Sequence, residues 1–172
     1  MRRFFVSAAI VALGLGTVVV AAPTSAAPPH GVGCQIAGVA KLSPGLGTSP
    51  KKTRFAFTGT LTSCQGSDSK LKKGKVVASG VGNVSCAGGT TKGVAVIKWN
   101  TGKKTLIKLA TSGVANADDV QFSVTQSNEP ALHKGDQGDA GLAFTSFKGS
   151  CTDKKGVTSA TFNGVSVAGA FS

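Results

Sequence analysis

Acid–base chemistry in this chain rests on few side chains: seven Asp and Glu, two His and four Cys among 172 residues. His133, followed by Lys134 and then Asp136, is the histidine placed to serve as a general base. A hydrolase built on it would need a nucleophile, and no Gly-x-Ser-x-Gly elbow occurs in the chain. Paired carboxylates would suit glycoside hydrolysis, and Asp118, Asp119, Glu129, Asp136, Asp139 and Asp153 are the candidates. They fall in stretches that read as loops, where carboxylates ordinarily accept local backbone N–H groups in water. Gly135-Asp136-Gln137-Gly138-Asp139 places two aspartates close together, without the ligand spacing of a calcium loop. An exported hydrolase working through loop-borne carboxylates or His133 is therefore the alternative reading. The expectation is no catalytic constellation, no metal and no cofactor.

The cysteines point to structure. Met1-Arg2-Arg3, an apolar run from Phe4 to Ala22, and Pro23-Thr24-Ser25-Ala26-Ala27 together form an export leader, cleaved after Ala26 or Ala27. The two arginines also fit a twin-arginine pattern loosely. The mature chain then meets an oxidising compartment and is secreted, extracellular or held at the cell wall. All four cysteines (Cys34, Cys64, Cys86 and Cys151) lie beyond the leader, and their even number reads as two disulfides. No Cys-x-x-Cys pair suggests a metal site.

The elements that carry these groups are strands. Cys34, Ile36, Gly38, Ala40 and Leu42 alternate with their neighbours, and Ser43-Pro44-Gly45 closes the segment. Phe55, Phe57, Gly59 and Leu61 share one face of the next strand, with Arg54, Thr58, Thr60 and Thr62 on the other. A hairpin whose paired residue numbers sum to 98 sets Cys34 opposite Cys64, which favours Cys34–Cys64 and, by elimination, Cys86–Cys151. Two other connectivities stay open. Val76 to Cys86 returns as a glycine-rich strand, whose glycines suggest close approach by a neighbour or a bulge. A glycine turn leads into Val94 to Asn100, which carries the one Trp, Trp99. Lys104 to Ala110, Val120 to Thr125, Leu142 to Phe147 and Val157 to Val167 continue the pattern, the last broken near Asn163-Gly164. Eight or nine short strands with glycine turns and no amphipathic helix predict an antiparallel β-sandwich, immunoglobulin-like or related, or a small barrel. Residues 1–27 are read as signal peptide, 28–33 as a flexible lead-in, and 34–172 as one domain.

Phe57-Thr58-Gly59-Thr60-Leu61-Thr62-Ser63-Cys64, Ser85-Cys86 and Gly93-Val94-Ala95-Val96-Ile97-Lys98-Trp99 follow in that order. This pattern resembles small exported actinobacterial proteins of unassigned function. The resemblance covers most of the mature chain, implies a β-sandwich with two disulfides, and brings no catalytic residues.

Charge supplies the remaining signal. The formal net charge is +12. Between residues 28 and 110, thirteen Lys and Arg stand against Asp68 alone, whereas residues 111–172 hold four Lys and six acids. Lys70, Lys72, Lys73 and Lys75 form one group, Lys103, Lys104 and Lys108 a second, and Lys51, Lys52 and Arg54 a third. The ordinary reading of such lysines is a solvated surface that deters strand-edge pairing. If the first two groups converge, they make a cationic surface suited to anionic envelope polymers or lipid head groups. Scarce Arg and absent Tyr argue against sequence-specific nucleic-acid reading. The sequence thus predicts a secreted, non-enzymatic β-domain with a lysine-rich binding surface.

Overall fold

A computed structural model describes residues 30–114 and 117–169. The expected leader at 1–27 lies outside the described residues. Eight strands follow one another: β1 (Gly31–Leu46), β2 (Lys51–Gly66), β3 (Gly74–Ser85), β4 (Gly88–Trp99), β5 (Lys104–Val114), β6 (Ala117–Ser127), β7 (Gln137–Lys148) and β8 (Val157–Gly169). Each pairs antiparallel with the next, and β8 pairs back onto β1, so the sheet closes into an up-and-down barrel. Closure removes the free edges that a sandwich would leave. Of the two expected architectures, the barrel is the one observed.

The strands number eight, as expected, but are longer than their sequence punctuation predicts. β1 begins at Gly31, inside the expected lead-in, and runs past Ser43-Pro44-Gly45 to Leu46, which pairs with Val157. Gly88, Gly89 and Gly93 belong to β4, and the β3–β4 turn is only Cys86-Ala87. β8 passes unbroken through Asn163-Gly164. Glycine marks close packing in these places, not chain reversal.

Packing inside the barrel explains those glycines. Inward positions alternate along the strands except at bulges, and aromatic rings face small residues across the same lateral row. Phe55 is in register with Gly80, and Gly80 with Gly93. The Phe55 ring lies across both, so that a Cβ on Gly80 would come within 2.5 Å of it and one on Gly93 within 2.8 Å. The next row reads Ala40, Phe57, Ala78 and Ala95. Phe57 and Phe162 meet edge to face, with centroids 4.7 Å apart.

The two ends differ. At the end where β1 begins, Leu71 from the β2–β3 loop and Leu132 from the β6–β7 loop fold under the barrel beside Trp99, all buried. The Trp99 indole N–H donates to Thr105 Oγ1 at 2.9 Å, and Thr105 Oγ1 bonds Ser127 Oγ at 2.9 Å. Trp99 is therefore core with its one polar atom satisfied. Cys34–Cys64 bridges β1 and β2 near this end. Cys86–Cys151 ties the β3–β4 turn to the β7–β8 loop at the other end.

The β1–β2 register departs from the expected sum of 98 over most of the hairpin: Ile36 faces Leu61 and Ala40 faces Phe57, both summing to 97. The reason is facial. With Phe55, Phe57 and Leu61 inward, Cys64 would point outward on a regular strand. An extra residue in β2, with Ser63 at a φ of 51°, restores the sum of 98 at Gly33–Gln65 and turns Cys64 in to meet Cys34.

Candidate functional site

The lysine groups at residues 70–75 and 103–108 share one end and one wall of the barrel. The β2–β3 loop buries Leu71, which throws its neighbours Lys70, Lys72 and Lys73 into solvent. Asn100, at the end of β4, staples that loop to the β4–β5 turn. Its Oδ1 accepts the Lys72 and Lys73 amides at 3.0 and 3.1 Å, its Nδ2 donates to the Lys70 carbonyl at 2.9 Å, and its own N–H donates to the Lys73 carbonyl. The Asp68 carboxylate is used locally and caps the Lys70 amide at 2.8 Å.

Strand register extends the cluster onto the sheet. Lys75 is directly opposite Lys98, and Lys98 is directly opposite Lys104, making a lateral row of three exposed lysines across β3, β4 and β5. Side chains in such positions stand about 5 Å apart at their Cβ atoms, and like charges there destabilise the sheet. The next outward row is Val77, Val96 and Leu106, all exposed, and Lys108 lies beyond it opposite Val94. Lys98 escapes a search for charge runs, because it sits alone in an apolar stretch. Its signal is parity: it alternates with the inward Ile97 and Trp99.

Lys103 plays a different part from its neighbours. Its Nζ lies 3.8 Å from Oε2 of Glu129, whose side chain is fully buried. Oε1 of Glu129 accepts a hydrogen bond from Thr101 Oγ1, and Oε2 has no hydrogen-bond partner among the described residues. Lys103 thus partly neutralises a buried carboxylate, leaving Lys70, Lys72, Lys73, Lys75, Lys98 and Lys104 as the free cations of this end. Among the described residues, Lys103 is the one member of the group with a carboxylate partner. The third basic group does not join: Lys51, Lys52 and Arg54 open β2 at the far end of the barrel.

The expected solvated carboxylates divide. Glu129 and Asp136 are buried, contrary to a uniformly exposed set. Asp136 Oδ2 accepts the His133 amide at 2.7 Å and closes the β6–β7 loop on itself. The His133 ring is exposed, with Nδ1 3.8 Å from the same oxygen. Asp153 accepts the Ser150 amide at 2.8 Å, and Asp139 points outward from β7. The side chains of Asp118 and Asp119 lie outside the described residues. His133, Glu129, Asp136, Asp139 and Asp153 line neither barrel cavity. Among the described residues, no three His, Cys, Asp or Glu side chains gather as a metal-ligand set.

The larger cavity, of about 140 Å³, lies at the end away from the lysine row. Its wall is apolar apart from Thr53, Ser85, Thr91 and Thr111. No described helix is long and apolar enough to cross a membrane. The outward face carries Arg54, Lys75, Lys92, Lys98, Lys104 and Lys108 along its strands, unlike the apolar band of a membrane-spanning barrel. No protein-family model matches the chain, and no curated protein matches it. Of what that resemblance implies, the structure shows an all-β core with two disulfides.

Proposed function

We propose that this chain is an exported, non-enzymatic binding domain that engages anionic lipid head groups through the β3–β5 wall. The observation that carries the reading is the row Lys75–Lys98–Lys104. A sheet gains no stability from three lysines side by side, and an anionic surface would relieve their repulsion. The adjoining exposed row of Val77, Val96 and Leu106 favours a lipid surface over a soluble polymer, since hydrated polymers offer those side chains nothing apolar. The two disulfides are compatible with an oxidising compartment, where the leader would deliver the chain.

Co-sedimentation with vesicles tests the proposal. Phosphatidylglycerol-rich vesicles should retain the protein at about 50 mM salt and release it near 500 mM, where the Debye length falls to about 4 Å. Phosphatidylcholine vesicles should not retain it. The triple variant Lys75→Glu, Lys98→Glu, Lys104→Glu should lose retention. Leu106→Ser should weaken vesicle binding while leaving binding to soluble polyphosphate unchanged. Retention independent of salt, or equal for the wild type and the triple variant, refutes the proposal. Polyphosphate binding as tight as vesicle binding, with Leu106→Ser silent, assigns the surface to an anionic polymer instead.

A further inference from the structure

The end of the barrel opposite the lysine row carries a second feature. Eight strands enclose an interior just wide enough for side chains or one small ligand. Large residues fill the Trp99 end, whereas the wall of the other half includes small ones such as Ala40, Gly88, Gly89 and Ala160. The cavity of about 140 Å³ lies there and reaches the end of the barrel. Phe55, Phe57 and Phe144 wall it and are only half-buried.

The four wall hydroxyls make hydrogen bonds within the protein. Thr91 and Thr111 bond each other at 2.9 Å. Ser85 Oγ donates to the Gly88 carbonyl and accepts the Ala87 amide. Thr53 Oγ1 donates to the Lys51 carbonyl. What enters the cavity meets hydrocarbon, so the fitting group is itself apolar.

The rim is built differently. On a regular strand Phe147 would face away from Phe144, but an extra residue in β7, between Phe144 and Ser146, rotates it into the cavity lining. Phe147 remains 47% exposed there, the one aromatic among the exposed large hydrophobic residues that are described. Lys51 opens the inward row that continues through Thr53, Phe55 and Phe57. It is half-buried, it pairs with Val84 of the cavity wall, and its Nζ is 3.9 Å from where a Cβ on Gly47 would stand. Lys148 ends β7 and Lys154 and Lys155 lie in the β7–β8 loop at this end, where Asp153 is committed to the Ser150 amide. Asp118 and Asp119 begin β6 at the same end.

We infer that the open end of the barrel binds a single-chain anionic amphiphile of the fatty-acid class. Its hydrocarbon tail enters among Phe55, Phe57 and Phe144, Phe147 covers the tail at the rim, and the carboxylate stays outside against the Lys51 ammonium. An apolar cavity near 150 Å³ holds a benzene ring, so about six carbons are enclosed. This site is independent of the lysine row in residues, end of the barrel and ligand part recognised.

The test is a series of n-alkyl carboxylates of roughly four to nine carbons, titrated into the protein and followed by backbone amide shifts. Each methylene should tighten binding about fourfold until about six carbons are enclosed, after which the gain should flatten. Shifts should centre on Lys51, Val84, Phe147 and Val157. Ala160→Leu fills the cavity and should abolish binding without lowering the melting temperature. Should that variant not fold, Ala40→Leu makes the same test from the neighbouring strand. Phe147→Ser, at an exposed position, should weaken every member of the series. Lys51→Gln should weaken carboxylates but not n-alkyl alcohols of equal length. Binding without chain-length dependence, shifts confined to the outer face of β3–β5, or wild-type affinity in a folded cavity-filled variant would overturn the inference. Lys98→Glu should leave this binding intact, so its outcome separates failure here from failure of the head-group proposal.

Discussion

Lys98→Glu tests the lysine row through two readouts expected to move in opposite directions. Lys98 faces Lys75 on one side and Lys104 on the other, so a single reversal converts two repulsive cross-strand pairs into two attractive ones. Directly opposed charge pairs are each worth about 0.2–1 kcal/mol. All three side chains are exposed, which puts each near the lower half of that range. Removing two repulsions and adding two attractions then stabilises the barrel by about 1 kcal/mol at low salt. For a domain of this size that is a rise of about 3 °C in Tm, readable by calorimetry or circular dichroism. The gain should vanish near 1 M salt, where the Debye length is about 3 Å. Binding should respond the other way. The reversal subtracts two charges from the surface at about 1 kcal/mol each, so affinity for anionic vesicles should fall about 30-fold. A lower Tm at low salt would refute the repulsion on which the functional reading rests. A raised Tm with unchanged vesicle affinity would keep the electrostatics and remove the binding surface.

Three further outcomes follow from the packing. Gly138→Ala places a Cβ 2.3 Å from Phe122 Cζ and 2.5 Å from the Val167 carbonyl oxygen, neither of which can retreat within the barrel. It should cost about 1–3 kcal/mol in urea unfolding, and a neutral result would refute the close packing of ring on glycine. Replacing Cys86 and Cys151 together by Ser releases a bridge spanning 65 residues, worth about 4 kcal/mol by loop-closure entropy. The loss should appear as a lower denaturant midpoint, and a loss below about 1 kcal/mol would show that the barrel alone holds the β7–β8 loop. Lys103→Met strands the buried Glu129 carboxylate and should cost about 1–2 kcal/mol, moderated because water reaches the Lys103 side. Lys104→Met, on the neighbouring exposed residue, should stay within about 0.5 kcal/mol, and equal effects would deny the Glu129 pairing its role.

Local alternation was enough to place most strands and is clearest in β2, where inward and outward residues differ in kind, whereas β3 and β4 also carry Val77, Val81, Val94 and Val96 outward. Phe55, Phe57 and Leu61 against Arg54, Thr58 and Thr60 leave no doubt about period or face. Barrel closure was not legible, because it depends on β8 meeting β1, a pairing of residues more than a hundred positions apart for which the chain carries no local mark. Gly88, Gly89 and Asn163-Gly164 misled for a related reason: glycine signals either a turn or a close approach, and only the facing residue decides which. The lysine site was half legible. Lys70–Lys75 and Lys103–Lys108 stand out as runs, but their convergence needs the Asn100 staple, and Lys98 joins them only through lateral register. Glu129 was unreadable as a buried acid, since its partners Thr101 and Lys103 come from a different hairpin.

One class of long-range feature did leave a local trace. At three of the breaks in strand register the inward row changes parity and delivers a side chain with a specific task. In β2 the shift turns Cys64 inward to its disulfide. In β6 the extra residue is Thr125, after which Ser127 points in to join Thr105 and Trp99, although Val120, Phe122 and Val124 had set the opposite parity. In β7 it is Thr145, after which Phe147 reaches the cavity rim. The residue types at the latter two breaks have a chemical reason. Thr125 Oγ1 donates to the Leu106 carbonyl at 3.1 Å, and Thr145 Oγ1 and Ser146 Oγ both bond Thr161 Oγ1, so side-chain hydroxyls bridge the strands where the backbone ladder is interrupted. A barrel with a strict period of two would have no means of placing a rim aromatic or a buried serine on rows already committed to the other face. The bulges therefore relate the fold to both ends of the molecule: one completes the polar network beneath the lysine-bearing hairpin, and another sets the lip of the apolar cavity.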